Sequence, residues 1–178
     1  ALRRVLRSAT TWDDFRAAAE SLDVLDGLSE WRDAPGENHD AVVAATKQLR
    51  AARLSCDVNE AVRLLRTMMV RNHMSVDSKD LHAECRVGAK RYIEEFVGEQ
   101  VTALGFVASC DASVFSLEEK LEFFHRCSVC LGHTALCFSG GGALSMYHMG
   151  VVKALIENHA LPTIISGTSG GSIVAAIL

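Results

Sequence analysis

Two glycine-rich turns near the end of the 178-residue chain constrain its fold more than any other feature. The turn GTSGG at residues 167–171 follows the short apolar run PTIIS and precedes a helical pattern. The turn SGGG at residues 139–142 likewise lies between the run TALCFS and the helical stretch ALSMYHMGVVKALIENHA. A strand, helix, strand, helix order predicts a parallel sheet with a crossover helix. The sequence from residue 134 onward therefore predicts the beginning of an α/β domain.

The serine of the second turn has the spacing of a catalytic nucleophile. Gly167 and Gly171 lie two positions before and two positions after Ser169, which matches G-x-S-x-G. A strand that turns this tightly into a helix forces the serine into a strained conformation with an exposed hydroxyl, and small flanking residues avoid clashes. We therefore predict that Ser169 is a nucleophile held on a sharp turn.

The first turn suits the binding of a negative charge. Gly140, Gly141 and Gly142 carry no side chains, so their backbone N–H groups can converge on an anion at the positive end of a helix. Adjacent parallel strands bring two such turns together at the carboxyl end of the sheet, where α/β sites form. These three glycines are the predicted oxyanion hole for Ser169.

Nucleotide binding is the alternative interpretation of the first turn. A dinucleotide fingerprint needs a third glycine where Ser145 stands, and an acidic residue at the end of the second strand, where PTIIS has none. The turn also lacks the lysine of a P-loop. The sequence favours acyl-transfer chemistry over phosphate binding.

The N-terminal part of the chain is predicted to be a separate, all-helical domain over residues 1–133. Thr11 and Asp57 are placed to cap helices, and the pattern S-x-x-E from Ser116 to Glu119 resembles a capping box. The predicted helices span residues 11–28, 40–55, 57–71 and 79–109, the last with an interruption near Gly98, and a further helix starts at residue 116.

One of these helices has two interpretations. Residues 62–72 mix arginines with apolar side chains, which is compatible with a helix lying on a membrane surface. The same pattern is more typical of a core helix whose arginines lie on the solvated face.

Composition excludes several functional classes. The net charge of -4 and the pI near 6.0 argue against nucleic-acid binding. We also expect no signal peptide or transmembrane segment, since no apolar run is long enough.

The six cysteines are predicted to be reduced thiols. Cys127, Cys130 and His133 have a zinc-like spacing but no second pair of ligands, so we expect neither a metal nor a cofactor.

The motifs around the two turns are specific to one family. LCFSGGGALSMYHMGVVKALIE and LPTIISGTSGGSIVAAIL resemble the start of a patatin-like domain. More narrowly, they resemble the eukaryotic patatin-like triacylglycerol lipases, in which a helical domain precedes the lipase domain. WRDAPGENHD, LRAAR, LLRTMMVRN and GAKRYIEEF are similar to that preceding domain. The resemblance implies a helical domain over residues 1–133 and the truncated N-terminal part of a parallel three-layer α/β sandwich over residues 134–178.

The resemblance also implies a function. The family hydrolyses the acyl esters of neutral lipids or phospholipids, which implies a triacylglycerol lipase of lipid catabolism. Its expected location is intracellular, at a lipid droplet or membrane surface. Ser169 matches the nucleophile, the N–H groups of Gly141 and Gly142 match the oxyanion donors, and Gly140 sets the turn. Leu144 and Ser145 depart from the basic residue and the glycine of many members, which leaves the backbone N–H groups unaffected.

The base that activates the serine is expected outside the chain. The family uses a Ser-Asp dyad whose aspartate lies in an Asp-Gly pair much farther along, and residues 170–178 contain no general base. We therefore expect this chain to be a fragment that is inactive alone. His148 and His159 are the nearest titratable bases, both on the predicted crossover helix, and His148 is expected to be buried or to pack rather than to act as a general base.

Two other functions stay open at this point. Transfer of the acyl group to a lysophospholipid would use the same Ser169. A non-catalytic scaffold that binds a lipid surface or a partner would retain only the remnant of a lipase.

Overall fold

The computed structural model describes residues 2–178 and divides the chain into two compact units, Ala1–Cys130 and Leu131–Leu178. The first unit is helical, and the second contains a small parallel sheet with helices. The predicted fold class, a helical segment followed by the start of an α/β domain, is confirmed.

The first unit is built from seven α-helices within its described residues. They are α1 (Leu2–Ser8), α2 (Trp12–Leu25), α3 (Leu28–Asp33), α4 (His39–Leu54), α5 (Val58–Met68), α6 (Arg91–Ser109) and α7 (Leu117–Leu131), whose last residue lies just past the division.

The second unit alternates strands and helices as the sequence predicts. Its elements are β1 (Ala135–Phe138), a 3-10 turn (Gly142–Met146), α8 (Tyr147–Glu157), β2 (Ile164–Gly167) and α9 (Gly170–Ile177). β1 and β2 pair in parallel, so α8 is the crossover helix.

The predicted helix starts are confirmed by their capping hydrogen bonds. The Thr11 hydroxyl accepts from the backbone N–H of Asp14 at 3.2 Å, and the Asp57 carboxylate accepts from that of Glu60 at 3.0 Å. Ser116 and Glu119 form the reciprocal pair of a capping box. These local side-chain contacts satisfy N–H groups that have no partner within the helix.

The expected helix over residues 79–109 is wrong in its first half, because α6 begins only at Arg91. The backbone N–H groups of Arg86 and Ala89 donate to the carboxylates of Asp23 and Glu94 instead of to helical carbonyls. Gly88 has a φ of 85°, which is incompatible with a right-handed helix. The expected interruption near Gly98 is also wrong, since α6 runs through it.

Three further helix boundaries differ from the expected ones. α2 ends at Leu25 because Gly27, with a φ of 75°, turns the chain into α3. α5 ends at Met68, and Asn72 just beyond it is in the left-handed region. The helical stretch expected from residue 143 starts as the tighter 3-10 turn and becomes α-helical at Tyr147.

The core of the first unit lies among α4, α5, α6 and α7. Its fully buried side chains include Leu49, Leu65, Phe96, Val107 and Phe123. The apolar residues of α5 are buried while Arg63 is exposed, so the core interpretation of this helix is confirmed. In the second unit a smaller cluster of Phe138, Val152 and Val174 joins the sheet to α8 and α9.

No helix among residues 2–178 combines the length and the apolar character needed to cross a bilayer.

All six cysteines are free thiols. Burial raises the pKa of the Cys127 thiol on α7.

A buried carboxylate links α6 to α4. Glu99 is 6% exposed and accepts hydrogen bonds from Arg53 at 2.7 Å and from Arg50 at 3.0 Å. The hydrogen bond from Arg53 is the main reason that the pKa of Glu99 is lowered, and Arg50 adds to it. The ionised carboxylate is therefore stabilised by folding, and this contribution is lost as pH falls through the lowered pKa.

We predict that Glu99→Gln destabilises the first unit, because the two guanidinium groups lose their charged acceptor. The expected loss is about 1–3 kcal/mol in the free energy of unfolding at neutral pH, measured by urea denaturation. The difference from the wild type should narrow as pH falls from the usual glutamate pKa through the lowered pKa of Glu99, because the folded wild-type side chain then also becomes uncharged. Glu60→Gln, which alters the exposed ion pair with Arg63, is the control and should leave the midpoint of urea denaturation unchanged. Equal midpoints for Glu99→Gln and the wild type at neutral pH would contradict the expected role of Glu99.

Candidate active site

The register of the parallel sheet places the two glycine turns side by side. Phe138, the last residue of β1, is paired with Gly167, the last residue of β2. The backbone N–H of Thr168 then donates to the carbonyl of Phe138 at 3.0 Å. Both strands therefore end at the same level, and the chain leaves each strand into a glycine turn at the carboxyl edge of the sheet.

Ser169 is held in a strained backbone conformation. Its φ of 51° and ψ of -124° lie outside the regions that residues with a Cβ commonly adopt. Such conformations cost about 1–3 kcal/mol and persist only where the surroundings enforce them. The residue is exposed and stands immediately before α9, so its hydroxyl is presented at the edge of the sheet.

Gly167 and Gly171 make this turn sterically feasible. A Cβ on Gly167 would lie 2.3 Å from the carbonyl oxygen of Gly171. A Cβ on Gly171 would lie 2.6 Å from the carbonyl oxygens of both Phe138 and Ser139. Both contacts are with backbone, which cannot move aside as a flexible side chain would. Glycine is therefore required on each side of Ser169.

The triple-glycine turn meets Ser169 through Gly140. A Cβ on Gly140 would lie 3.1 Å from the Cβ and 3.7 Å from the Oγ of Ser169. A Cβ on Gly142 would meet no atom within 4 Å, although the φ of 57° at Gly142 suits glycine. Gly141, with a φ of 154°, lies between them. The structure thus brings the predicted nucleophile against the predicted oxyanion turn, with Gly140 beside the serine.

Ser145 ties the end of this turn to the start of α9. Its side chain is buried, and its hydroxyl donates to the carbonyl of Gly142 at 2.7 Å. A Cβ on Gly170 would lie 2.3 Å from the Ser145 Oγ, so the two glycine turns also touch here. From the sequence, Ser145 was noted only because it stands where the compared motifs have glycine. Its spacing of three residues from Gly142 is the signal that could have indicated a hydroxyl bonded to a carbonyl one turn back.

His148 packs, as the sequence predicts, and it also makes a hydrogen bond that the sequence does not reveal. Its ring lies 5.0 Å from that of Phe138, measured between centroids, and it is half-buried. Its Nε2 atom lies 2.9 Å from the carbonyl oxygen of Ser139. His159, the other histidine of this segment, lies beyond the end of α8, is exposed and has a φ of 52°.

A general base for Ser169 is not found within residues 2–178. In this part of the chain, no carboxylate or imidazole is hydrogen-bonded to the Ser169 hydroxyl. The same residues contain no group of three or more His, Cys, Asp or Glu side chains placed to hold a metal ion. Within the described residues the site therefore consists of an exposed, strained serine beside a glycine turn, with no proton acceptor bonded to the serine hydroxyl.

Comparison with known proteins identifies both parts of the chain. Residues 1–129 match the family model described as "Domain of unknown function (DUF3336)", and residues 136–178 match the model described as "Patatin-like phospholipase". No solved structure matches the chain.

Curated relatives align with nearly the whole chain. A patatin-like phospholipase domain-containing protein of Yarrowia lipolytica is 35% identical over 99% of this chain and 22% of its own length. A relative of the same description from Aspergillus niger is 33% identical over 99% of this chain and 26% of its own length. The triacylglycerol lipase ptl3 of Schizosaccharomyces pombe is 35% identical over 94% of this chain and 35% of its own length. The chain thus spans only about a fifth to a third of the length of these relatives.

We predict that Gly167→Ala disrupts the end of the sheet, because the added methyl group would collide with the Gly171 carbonyl. The cost should be about 1–3 kcal/mol, as for other overpacked sites. The measurement is hydrogen exchange of the Thr168 amide, which should become faster. Gly150→Ala is the matched control. Position 150 is in α8 with open space around it, so this change should stabilise the helix by about 0.5–1 kcal/mol. Unchanged exchange in Gly167→Ala would show that the turn is less tightly packed than described.

Proposed function

Because the chain belongs to the family of patatin-like phospholipase proteins in which a DUF3336 domain precedes the patatin domain, we propose that it is part of a serine hydrolase of lipid esters. One observation carries this proposal within the structure. Ser169 is held at a positive φ with its side chain against the Gly140–Gly142 turn. That arrangement suits a nucleophile whose reaction generates a negatively charged oxygen.

The proposed reaction is acyl transfer in two steps. The Ser169 Oγ attacks the ester carbonyl carbon as a general base takes its proton, and the resulting tetrahedral oxyanion collapses to an acyl-serine as the alcohol departs with that proton. Water then attacks the acyl-serine and releases the fatty acid. In both steps the backbone N–H groups of Gly140, Gly141 and Gly142 would donate hydrogen bonds to the oxyanion, and no metal or cofactor is needed.

We propose an aspartate outside these 178 residues as the general base. Ser169 needs a group that takes its proton in the first step, and the described residues place none on its hydroxyl. A carboxylate from elsewhere in the longer protein would complete a Ser-Asp dyad. This part of the proposal rests on the family and on the incomplete site.

We propose a neutral lipid, specifically a triacylglycerol at a lipid droplet or membrane surface, as the substrate. The support is of two kinds. One relative is named a triacylglycerol lipase. In addition, apolar side chains are exposed directly after the glycine turn, where they could contact lipid; these are Leu144, Met146, Tyr147, Met149 and Val151.

We predict that a fluorophosphonate probe labels the full-length protein at Ser169, because the probe reacts with activated serines. Ser169→Ala should abolish both the labelling and the hydrolysis of a soluble ester. Ser128→Ala is the matched control, since Ser128 is exposed on α7 in the other unit, and it should react like the wild type. Labelling that persists in Ser169→Ala would reject the proposed nucleophile. Full-length protein that neither reacts nor hydrolyses esters would favour the non-catalytic scaffold.

Water, rather than a lysophospholipid, is the proposed acyl acceptor. We predict that full-length protein given emulsified triacylglycerol releases free fatty acid. Adding lysophospholipid should leave the fatty acid yield unchanged within about a factor of two. Thin-layer or mass-spectrometric product analysis makes the measurement, with Ser169→Ala as the blank. Conversion of the lysophospholipid into a diacyl phospholipid at the expense of fatty acid would assign the transferase reaction instead.

A further inference from the structure

We propose that His148 is a positioning residue for the glycine turn: its hydrogen bond to Ser139 sets the direction of the Gly140 N–H. This inference rests on the proposed function, because it assigns a partner to the oxyanion site of that function. The residue lies on α8, so the crossover helix would contribute to the site.

The hydrogen bond defines which ring nitrogen carries a proton. The His148 Nε2 atom lies 2.9 Å from the carbonyl oxygen of Ser139. A carbonyl oxygen can only accept, so Nε2 must be the donor. The ring itself is held by its contact with Phe138, which is 4% exposed at the end of β1. His148 therefore presents a fixed donor to the first residue after the strand.

The restraint on Ser139 is transmitted to Gly140 by the peptide bond. The carbonyl of Ser139 and the N–H of Gly140 belong to one planar unit, in which they point in opposite directions. Any rotation of this unit that broke the bond to His148 would redirect the Gly140 N–H as well. Gly140 is the glycine of the turn whose Cβ position lies nearest to Ser169, and in the proposed function its N–H is one of the oxyanion donors.

Two later peptide units of the turn, those that contain the carbonyls of Gly141 and Gly142, are held from within it. The carbonyl of Gly141 accepts from the N–H of Leu144 at 3.1 Å, and the carbonyl of Gly142 accepts from the hydroxyl of Ser145 at 2.7 Å. Glycine has wide conformational freedom, so a run of three would sample many orientations without such restraints. At the beginning of the three glycines the restraint comes from His148, which lies on α8 rather than in the turn itself.

The test separates the hydrogen bond from the packing of the ring. His148→Phe keeps an aromatic ring over Phe138 and removes the donor, whereas His148→Gln can place an amide N–H near the original Nε2 position. The first readout is the NMR resonance of the Gly140 backbone amide in the full-length protein without substrate. It should shift in His148→Phe and return towards the wild-type position in His148→Gln.

The second readout is the hydrolysis of a soluble ester by the full-length protein. We expect kcat to fall roughly 10- to 100-fold in His148→Phe with KM unchanged, because loss of one oxyanion donor typically costs 100-fold or more and here the donor is only misdirected. His148→Gln should recover most of the rate. His125→Phe, an exposed imidazole on α7, is the matched control and should behave like the wild type.

The possible outcomes are distinguishable. An unshifted Gly140 resonance in His148→Phe would overturn the inference, as would a His148→Gln variant as slow as His148→Phe. Ester hydrolysis that survives Ser169→Ala would reject the proposed function. The Gly140 resonance is measured without substrate and tests the contact to His148 independently of that result.

Discussion

The second unit depends on the close approach of backbone to backbone where β1 ends and α9 begins. The carbonyls of Phe138 and Ser139 lie where a side chain on residue 171 would be, and the Gly171 carbonyl lies where a side chain on residue 167 would be. With side chains excluded at both positions, the chain can turn within two residues from β2 into α9. Ser169, between them, has to adopt its positive φ. The same packing places Gly140 against it, so one steric constraint creates both the strained serine and its neighbour.

Hydrogen bonds then convert this packing into a fixed site. Thr168 donates to β1, Ser145 holds the far end of the glycine turn, and His148 contacts its beginning. These bonds come from the turn before α9, from the 3-10 turn and from α8, so three different parts of the unit restrain the two glycine turns. Preorganisation of this kind is what makes backbone donors effective, since they need no rearrangement when charge develops. In the first unit, Glu99 joins α4 to α6 in a comparable way, through charged rather than backbone partners.

Features that depend on local sequence were predictable, and features that depend on distant partners were not. Caps at Thr11 and Asp57 and the tight turn at Ser169 follow from residues within a few positions of each other, and the parallel pairing of the two strands follows from the strand, helix, strand order. The late start of α6 does not, because Asp23, more than sixty residues earlier in the chain, takes the backbone N–H of Arg86. The role of His148 was hidden for a related reason, because its partner, the Ser139 carbonyl, lies beside α8 only once the chain has folded. The bond of Ser145 to Gly142 is local, and its three-residue spacing was the only signal for it.

The central claim is that the Gly140–Gly142 turn forms an anion site for the chemistry of Ser169. The most direct measurement is a crystal structure of the full-length protein after reaction with a fluorophosphonate, whose phosphonyl oxygen mimics the oxyanion. The account predicts phosphorus bonded to the Ser169 Oγ, with the phosphonyl oxygen about 2.7–3.1 Å from backbone nitrogen atoms of the glycine turn, that of Gly140 among them. A phosphonyl oxygen that points into solvent, or adduct formation on another serine, would contradict it.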